Sequence, residues 1–254
     1  MIKDDAPVTL LEGFLASMSL LTRLPLPALR PKAYAAAPEM VWAYPLVGAL
    51  LGGMAALAGL FAIALGLPPN IAAGIALAVY MLVTGAMHED GLADTCDGFW
   101  GATERARRLE IMKDSQIGTY GVLGLIISVG LRWIAVAGLL VTAPAALIAA
   151  AALSRSLLPM VMATTQHARD SGLSHSVGQP TPAMAALALL AGLLVALLCG
   201  GSVAFGALVL AGLAVAALRL VALRKIGGQT GDVLGASQQL GEAAVLVVFL
   251  VASI

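Results

Sequence analysis

The stretch TYGVLGLIISVGLRWIAVAGLLVT, Thr119 to Thr142, carries a single charged side chain, Arg132. At 1.5 Å per residue such a helix crosses a hydrocarbon layer of about 30 Å. Five further stretches meet the same demand: Val41 to Gly66, Asn70 to Met87, Ala143 to Thr164, Ala183 to Cys199 and Val203 to Leu223. Leu240 to Ile254 is shorter, about 15 residues, and crosses only a thinned or deformed bilayer; it is counted as a seventh span. Val8 to Leu24 holds Glu12 and Arg23 and is expected to lie in the interface or to re-enter. Leu24-Pro25-Leu26-Pro27 ends any helix there. The expected fold is all-α: a polytopic integral membrane protein with about seven transmembrane helices and an N-terminal interfacial or re-entrant helix, forming one membrane-embedded domain over residues 1–254.

Composition supports that reading. Hydrophobic residues make up 60% and charged residues 11% of the chain, with mean hydropathy +0.97, against about 25% charge in soluble domains. A soluble enzyme is excluded. The 14 Lys and Arg balance the 14 Asp and Glu, so no cationic surplus attracts a phosphate backbone and nucleic acid is not an expected partner. Cys96 and Cys199 are the two cysteines, and the spans put them at opposite faces, which excludes a disulfide scaffold. Met1 to Asp5 is mixed in charge and leads into no short apolar run with a small-residue cleavage site, so no cleavable signal is expected.

The connections alternate in character. Leu67 to Pro69, Thr142 to Pro144 and Gly200 to Ser202 carry no charge. The other side receives Lys3, Arg23, Arg30 and Lys32, together with loops near 89–118, 165–182 and 224–239. By the positive-inside rule that charged side is cytosolic. Within the spans, Gly48, Gly52 and Ala56 recur at four-residue spacing; intramolecular helix packing is favoured over a homo-oligomer seam.

The loop 89–118 concentrates the charge. Asp90, Asp94 and Asp97 stand at i, i+4 and i+7, so a helix running into the cytosol would stack them on one face. Such a set repels itself unless a cation sits among the oxygens, and a hard cation such as Mg²⁺ is the natural fit. Zinc is disfavoured because His88 is the one nearby imidazole and Cys96 has no partner. Mg²⁺ held by carboxylates and substrate phosphates points to phosphoryl transfer, with a spare carboxylate to take the proton of an attacking hydroxyl. Glu110 to Gly121 mixes charge with glycine: backbone N–H groups freed by glycine could bind phosphate, Lys113 supplies a point cation, and helix packing is the equal alternative. Gly227 to Ala236 has the same look, with Asp232 its one charge and a flexible turn the alternative. Arg132 and Arg155 lie near mid-membrane on adjacent antiparallel spans; intramembrane Arg usually faces a polar cavity. Substrate binding from the cytosol is favoured at Arg155, with interhelical bonding as the competing reading.

These blocks, with Leu21 to Pro25, Pro45 to Gly48 and Ser154 to Pro159, resemble the cobalamin synthase family, the adenosylcobinamide-GDP ribazoletransferases, over nearly the whole chain. The resemblance implies a multi-pass enzyme of the bacterial inner membrane, with its active site facing the cytosol and Mg²⁺ as cofactor. It implies transfer of adenosylcobinamide phosphate from adenosylcobinamide-GDP to the 5′-hydroxyl of α-ribazole, or of α-ribazole 5′-phosphate, with release of GMP. Residue by residue it implies Asp90, Asp94 and Asp97 as metal ligands, Asp97 and Lys113 as catalytic, and Glu89, Asp114, Thr230, Asp232, Arg23 and Arg155 as substrate-binding. Two rival readings compete with this one. A CDP-alcohol phosphotransferase would show Asp-Gly-x-x-Ala-Arg, whereas Asp90-Gly91-Leu92-Ala93 is followed by Asp94. A cation-coupled transporter would need acids near mid-membrane, and all 14 are expected on the cytosolic side or at its edge.

Overall fold

The computed structural model describes residues 7–253; Lys3 lies outside them. Helix α1 (Leu10–Leu21) starts at a capping box in which the Thr9 side chain accepts from the Glu12 backbone and the Glu12 side chain accepts from the Thr9 backbone. Twelve residues span about 18 Å, too few to cross a bilayer. Arg30 pairs with the same Glu12 at 2.7 Å, and Leu10 and Leu11 stay exposed, as an interfacial helix requires. A short helix, α2 (Pro31–Ala35), follows.

The spans are α3 (Tyr44–Ala64, entered through a 3₁₀ turn at Val41–Ala43), α4 (Pro69–Thr84), α7 (Thr119–Thr142), the pair α8 (Ala146–Ser156) and α9 (Leu158–Thr164), α11 (Pro182–Gly200), α12 (Val203–Ile226) and α13 (Gly231–Ser253). Six of these are long and apolar enough to cross alone or as a continuous pair; α4 with its bent continuation makes a seventh. Proline opens several of them from the first turn, where its missing N–H costs nothing: Pro45, Pro69 and Pro182. Exposed Leu and Ile side chains cover their outer faces, among them Leu123, Ile126, Ile134, Leu190, Leu194 and Leu213. Such a continuous apolar surface belongs in lipid.

Helix α8 is the axle of the bundle. Ala149 to Leu153 are all 0 or 1% exposed, and α3, α11 and α13 pack around it. A Cβ on Gly48 would collide with the carbonyl oxygen of Ala151, and one on Gly52 with that of Leu147. The small-residue row of α3 is therefore an intramolecular contact.

Three expectations change. The second span ends at Thr84, not Met87, because Gly85 and Ala86 are both left-handed (φ 65° and 54°). The chain turns through 87° into α5 (Met87–Gly101), so the acidic stretch is a second helix after a sharp bend and not a straight continuation of α4. The last span begins at Gly231 instead of Leu240, and α12 runs to Ile226; the connection expected at 224–239 shrinks to 227–230. Its polar residues, Ser237, Gln238, Gln239 and Glu242, are buried inside the bundle, which is why hydropathy places the start too late.

Candidate active site

Two glycines build the site. Helices α5 and α13 cross at Gly91 and Gly235, where a Cβ on either would lie 3.2 Å from the other's Cα. This close approach brings Asp90 of α5 to Asp232 of α13, although the two are far apart in sequence. Asp90 and Asp232 both line a cavity of about 230 Å³ with His88, Arg169 and Ser174 on its polar side and Leu20, Leu21, Tyr44 and Met162 on its apolar side. Asp90 also lines a second cavity, about 330 Å³, with Asp94, Lys113, Asp114 and Gln116. One carboxylate thus forms the wall common to both.

Asp94 feels this crowding. Burial, then the charges of Asp90, Asp232 and Asp97, push its carboxyl up to about 7. Asp232 is held by an ion pair with Arg169 and by the Thr230 hydroxyl, which donates to it at 3.1 Å. Thr230 also accepts from the Val233 backbone at 3.3 Å, which steadies the first turn of α13.

Asp97 is placed elsewhere. Its two oxygens accept the backbone N–H groups of Gly118 at 2.7 Å and Gly121 at 2.8 Å, so it caps α7 from outside, where an anion is favoured by the helix dipole. A Cβ on Gly118 would lie 2.6 Å from Asp97 Oδ1. The glycines of that block serve an internal carboxylate rather than a phosphate. Among the described residues no three His, Cys, Asp or Glu side chains form a group that could hold a metal, and Asp97, engaged by the backbone of α7, is set apart in its partners from Asp90 and Asp94. The pair fits Mg²⁺ in chemistry: it is all oxygen, anionic and under-compensated, and Mg²⁺ is commonly held by one or two carboxylates plus phosphates and water.

The remaining expected residues scatter. Lys113 is exposed on the second cavity, and Asp114 accepts from the Gln116 backbone at 3.1 Å in the same loop. Arg23 lies over the α4–α5 corner: its backbone donates to Val83 at 2.7 Å and its side chain packs on Gly85. Glu89 and Arg155 face inward. Arg132 donates to Glu89 at 2.8 Å and lies 2.9 Å from Glu242; Arg155 donates to the Tyr80 hydroxyl at 2.6 Å, and that hydroxyl donates to Glu242. Both guanidiniums are fully buried and sit over the Tyr80 ring. At Arg155 the geometry is that of interhelical bonding. Glu242 sits midway along α13, so the expectation that every acid lies at the charged edge is also corrected.

Arg169 has no counterpart in the sequence reading, which treated its loop as charge alone. The loop is located by Gln229, whose carbonyl and amide bond to Ala168 and Gln166 at 2.9 Å each and whose side chain meets His167 and Ser174. Arg105 of the next helix, α6 (Arg105–Ile111), donates to the carbonyls of Ile226 and Ala168. Three loops distant in sequence are thereby tied over one end.

A sequence model of the family described as cobalamin-5-phosphate synthase matches residues 13–250. The chain belongs to the cobalamin-5-phosphate synthase family. Curated proteins called adenosylcobinamide-GDP ribazoletransferase are similar to it throughout. That of Bradyrhizobium diazoefficiens is 47% identical over 91% of this chain and 90% of its own length; that of Azorhizobium caulinodans is 44% identical over 93% and 94%; that of Mesorhizobium japonicum is 41% identical over 97% and 96%. No solved structure matches the chain. Membership in the cobalamin-5-phosphate synthase family makes it a membrane-embedded transferase of cobalamin biosynthesis, acting in assembly of the nucleotide loop.

Proposed function

We propose that the site at Asp90 transfers adenosylcobinamide phosphate from adenosylcobinamide-GDP to α-ribazole or its 5′-phosphate, on the cytosolic face. The observation that carries this reading is the shared Asp90 wall: two cavities, one flanked by Lys113 and one by Arg169, meet at a single carboxylate. A displacement between two large substrates needs such an arrangement. A ribazole already phosphorylated at its 5′ oxygen has no hydroxyl there. A route that accepts both forms must therefore use another ribose hydroxyl, which amends the 5′ expectation.

Asp90 and Asp94 would hold Mg²⁺, whose charge would serve to polarise the diphosphate and to offset the negative charge of the departing GMP. Lys113 binds the diphosphate from the exposed side of the second cavity, and its charge counts for more as the leaving oxygen gains charge. Asp232 faces the first cavity, where the acceptor hydroxyl would lie, and takes its proton as the new phosphorus–oxygen bond forms and the bond to GMP breaks. Burial pushes the Asp232 carboxyl above the usual carboxylate range, which suits it to take a proton, and the Arg169 guanidinium opposes that shift. Asp97 is a positioning residue: by capping α7 it fixes the loop that carries Lys113.

The transporter alternative loses its footing at Glu242, midway along α13, because Arg132, Tyr80 and Gln238 already occupy that carboxylate. The test is direct. Purified protein in nanodiscs, given adenosylcobinamide-GDP, α-ribazole and Mg²⁺, should release one GMP per cobamide formed, and chelation should stop it. Absence of GMP release, or full turnover in excess chelator, overturns the reading.

A further inference from the structure

Glu89 is the neighbour in sequence of the carboxylate that walls both cavities, yet it lines neither of them. It is 5% exposed and bonds inward. Its Oε1 accepts from Arg132 of α7 at 2.8 Å and from the side-chain amide of Gln239 of α13 at 3.1 Å, and Arg132 also donates to Gln239 at 2.7 Å. Three side chains from three helices are therefore each bonded to the other two. Further along α5 a second anchor is Asp97, held by the backbone of Gly118 and Gly121 at the start of α7. Asp90 and Asp94 lie between these anchors.

Stability alone does not account for the triangle. A buried ion pair contributes little beyond what apolar side chains of similar volume would, because desolvation offsets the attraction. Its distinctive contribution is direction: an apolar seam lets a helix turn about its axis, whereas a closed set of hydrogen bonds in an apolar interior resists that turn. The site is sensitive to such rotation. A carboxylate about 5 Å from the helix axis moves by about 2 Å when the helix rotates by about 20°, and a misplacement of about 1 Å can lower a rate about 10²-fold.

We propose that Glu89 is a positioning residue: tied to Arg132 and Gln239, it sets the rotation of α5 and so aims Asp90 and Asp94 at the cavities. It acts through those two aspartates and touches neither substrate nor metal. The assignment rests on the Mg²⁺ pair and the transfer reaction proposed above, and adds what holds the pair in place.

Mn²⁺ titrated into the detergent-purified full chain without either substrate, and followed by the loss of the free-ion electron paramagnetic resonance signal, reads the aspartate pair apart from turnover. Asp94→Asn should lose that binding. Glu89→Gln keeps the shape and an acceptor oxygen for both partners, so its Mn²⁺ affinity, and its kcat at saturating Mg²⁺, should stay within about three-fold of wild type. Glu89→Ala removes the anchor: Mn²⁺ affinity should fall about ten-fold and kcat about 10²-fold, with KM for each substrate within about three-fold. Gln239→Leu cuts one arm of the triangle and leaves the ion pair, so it should give an intermediate loss; if Glu89→Ala does not fold, this variant and Glu89→Gln decide. Three results overturn the assignment. Glu89→Gln as inactive as Glu89→Ala would mean that the carboxylate itself acts, and a rise confined to KM for one substrate would mean direct contact. Lowered thermal stability in Glu89→Ala with unchanged Mn²⁺ affinity and kcat would make the triangle structural only. A wild-type chain that binds no Mn²⁺ removes the aspartate pair and this assignment with it, whereas equal binding in the wild type and Glu89→Ala removes the positioning role alone; a wild-type chain that forms no cobamide removes the reaction.

Discussion

The three aspartates of α5 share a face but not an environment, and substitution should separate them. Asp90→Asn and Asp94→Asn remove like-charge repulsion, so each should leave thermal stability unchanged or higher while transfer falls by about 10²-fold or more. Asp97→Asn loses the anion that caps α7 and should lower stability by about 1 kcal/mol, with activity reduced but still dependent on Mg²⁺. Thermal unfolding in detergent beside a Mg²⁺ titration distinguishes the two outcomes; equal behaviour of all three variants would restore Asp97 to the metal. Spacing alone reveals the common face, yet it cannot show that the backbone of Gly118 and Gly121 stands opposite one member. His167 offers a second residue-level test. Burial first, then His175, hold its imidazole below the usual value of 6.5. A group whose neutral form is favoured by folding contributes fully above 6.5 and loses that contribution as pH falls through the lower folded value. An NMR titration should therefore find the midpoint below 6.5, and His175→Ala should raise it without restoring 6.5. A wild-type midpoint at or above 6.5 contradicts the described loop.

At the scale of elements, the spans were legible wherever the chain faces lipid and misjudged wherever it faces itself. Thr119–Thr142 is a span to the residue, because its outward side chains are apolar. Helix α13 was truncated by nine residues because hydropathy treats Gln238, Gln239 and Glu242 as solvent-seeking, whereas Arg132 and Ser154 satisfy them inside. The α4–α5 corner was missed for a different reason: only Gly85 hints at a left-handed break, and Ala86 shares it against its own preference. The crossing of α5 and α13 is the element on which the site depends. Gly235→Leu would push its side chain into Gly91 and the His88 backbone, an overpacking cost of about 1–3 kcal/mol. It should cost activity about ten-fold or more, since the helices carrying Asp90 and Asp232 must part. Retained turnover in a folded Gly235→Leu variant would show that the two carboxylates need not meet.

For the whole molecule, the charge asymmetry read from the connections fixes which ends of the spans share a side, and the hydrogen bonds of Arg105 and Gln229 join the charged loops directly. The orientation in the membrane is an expected outcome to be measured. After Cys96 and Cys199 are replaced, single cysteines at Leu67, Ala143 and Ser202 should react with an impermeant maleimide in intact spheroplasts. Cysteines at Gln116 and Ser171 should react only after permeabilisation; the opposite pattern inverts the topology. The buried pairing of Arg132 and Arg155 with Glu89 and Glu242, two charges of each sign, was legible only as two costly arginines, because the acids that answer them come from helices whose ends the hydropathy misjudged.

The carboxylate that two cavities share has a consequence for chemistry outside the cell's own substrates. A single compound linking α-ribazole to a guanosine diphosphate through a spacer short enough to pass Asp90 would fill both chambers at once. Once one half is seated the other meets its chamber at a local concentration set by the spacer, so the linked compound should bind about 10²–10⁴-fold more tightly than the better of its halves. Competition against labelled α-ribazole measures that gain. Lengthening the spacer step by step should reveal an optimum and then a slow decline, a ruler for the distance between the two chambers in the working enzyme.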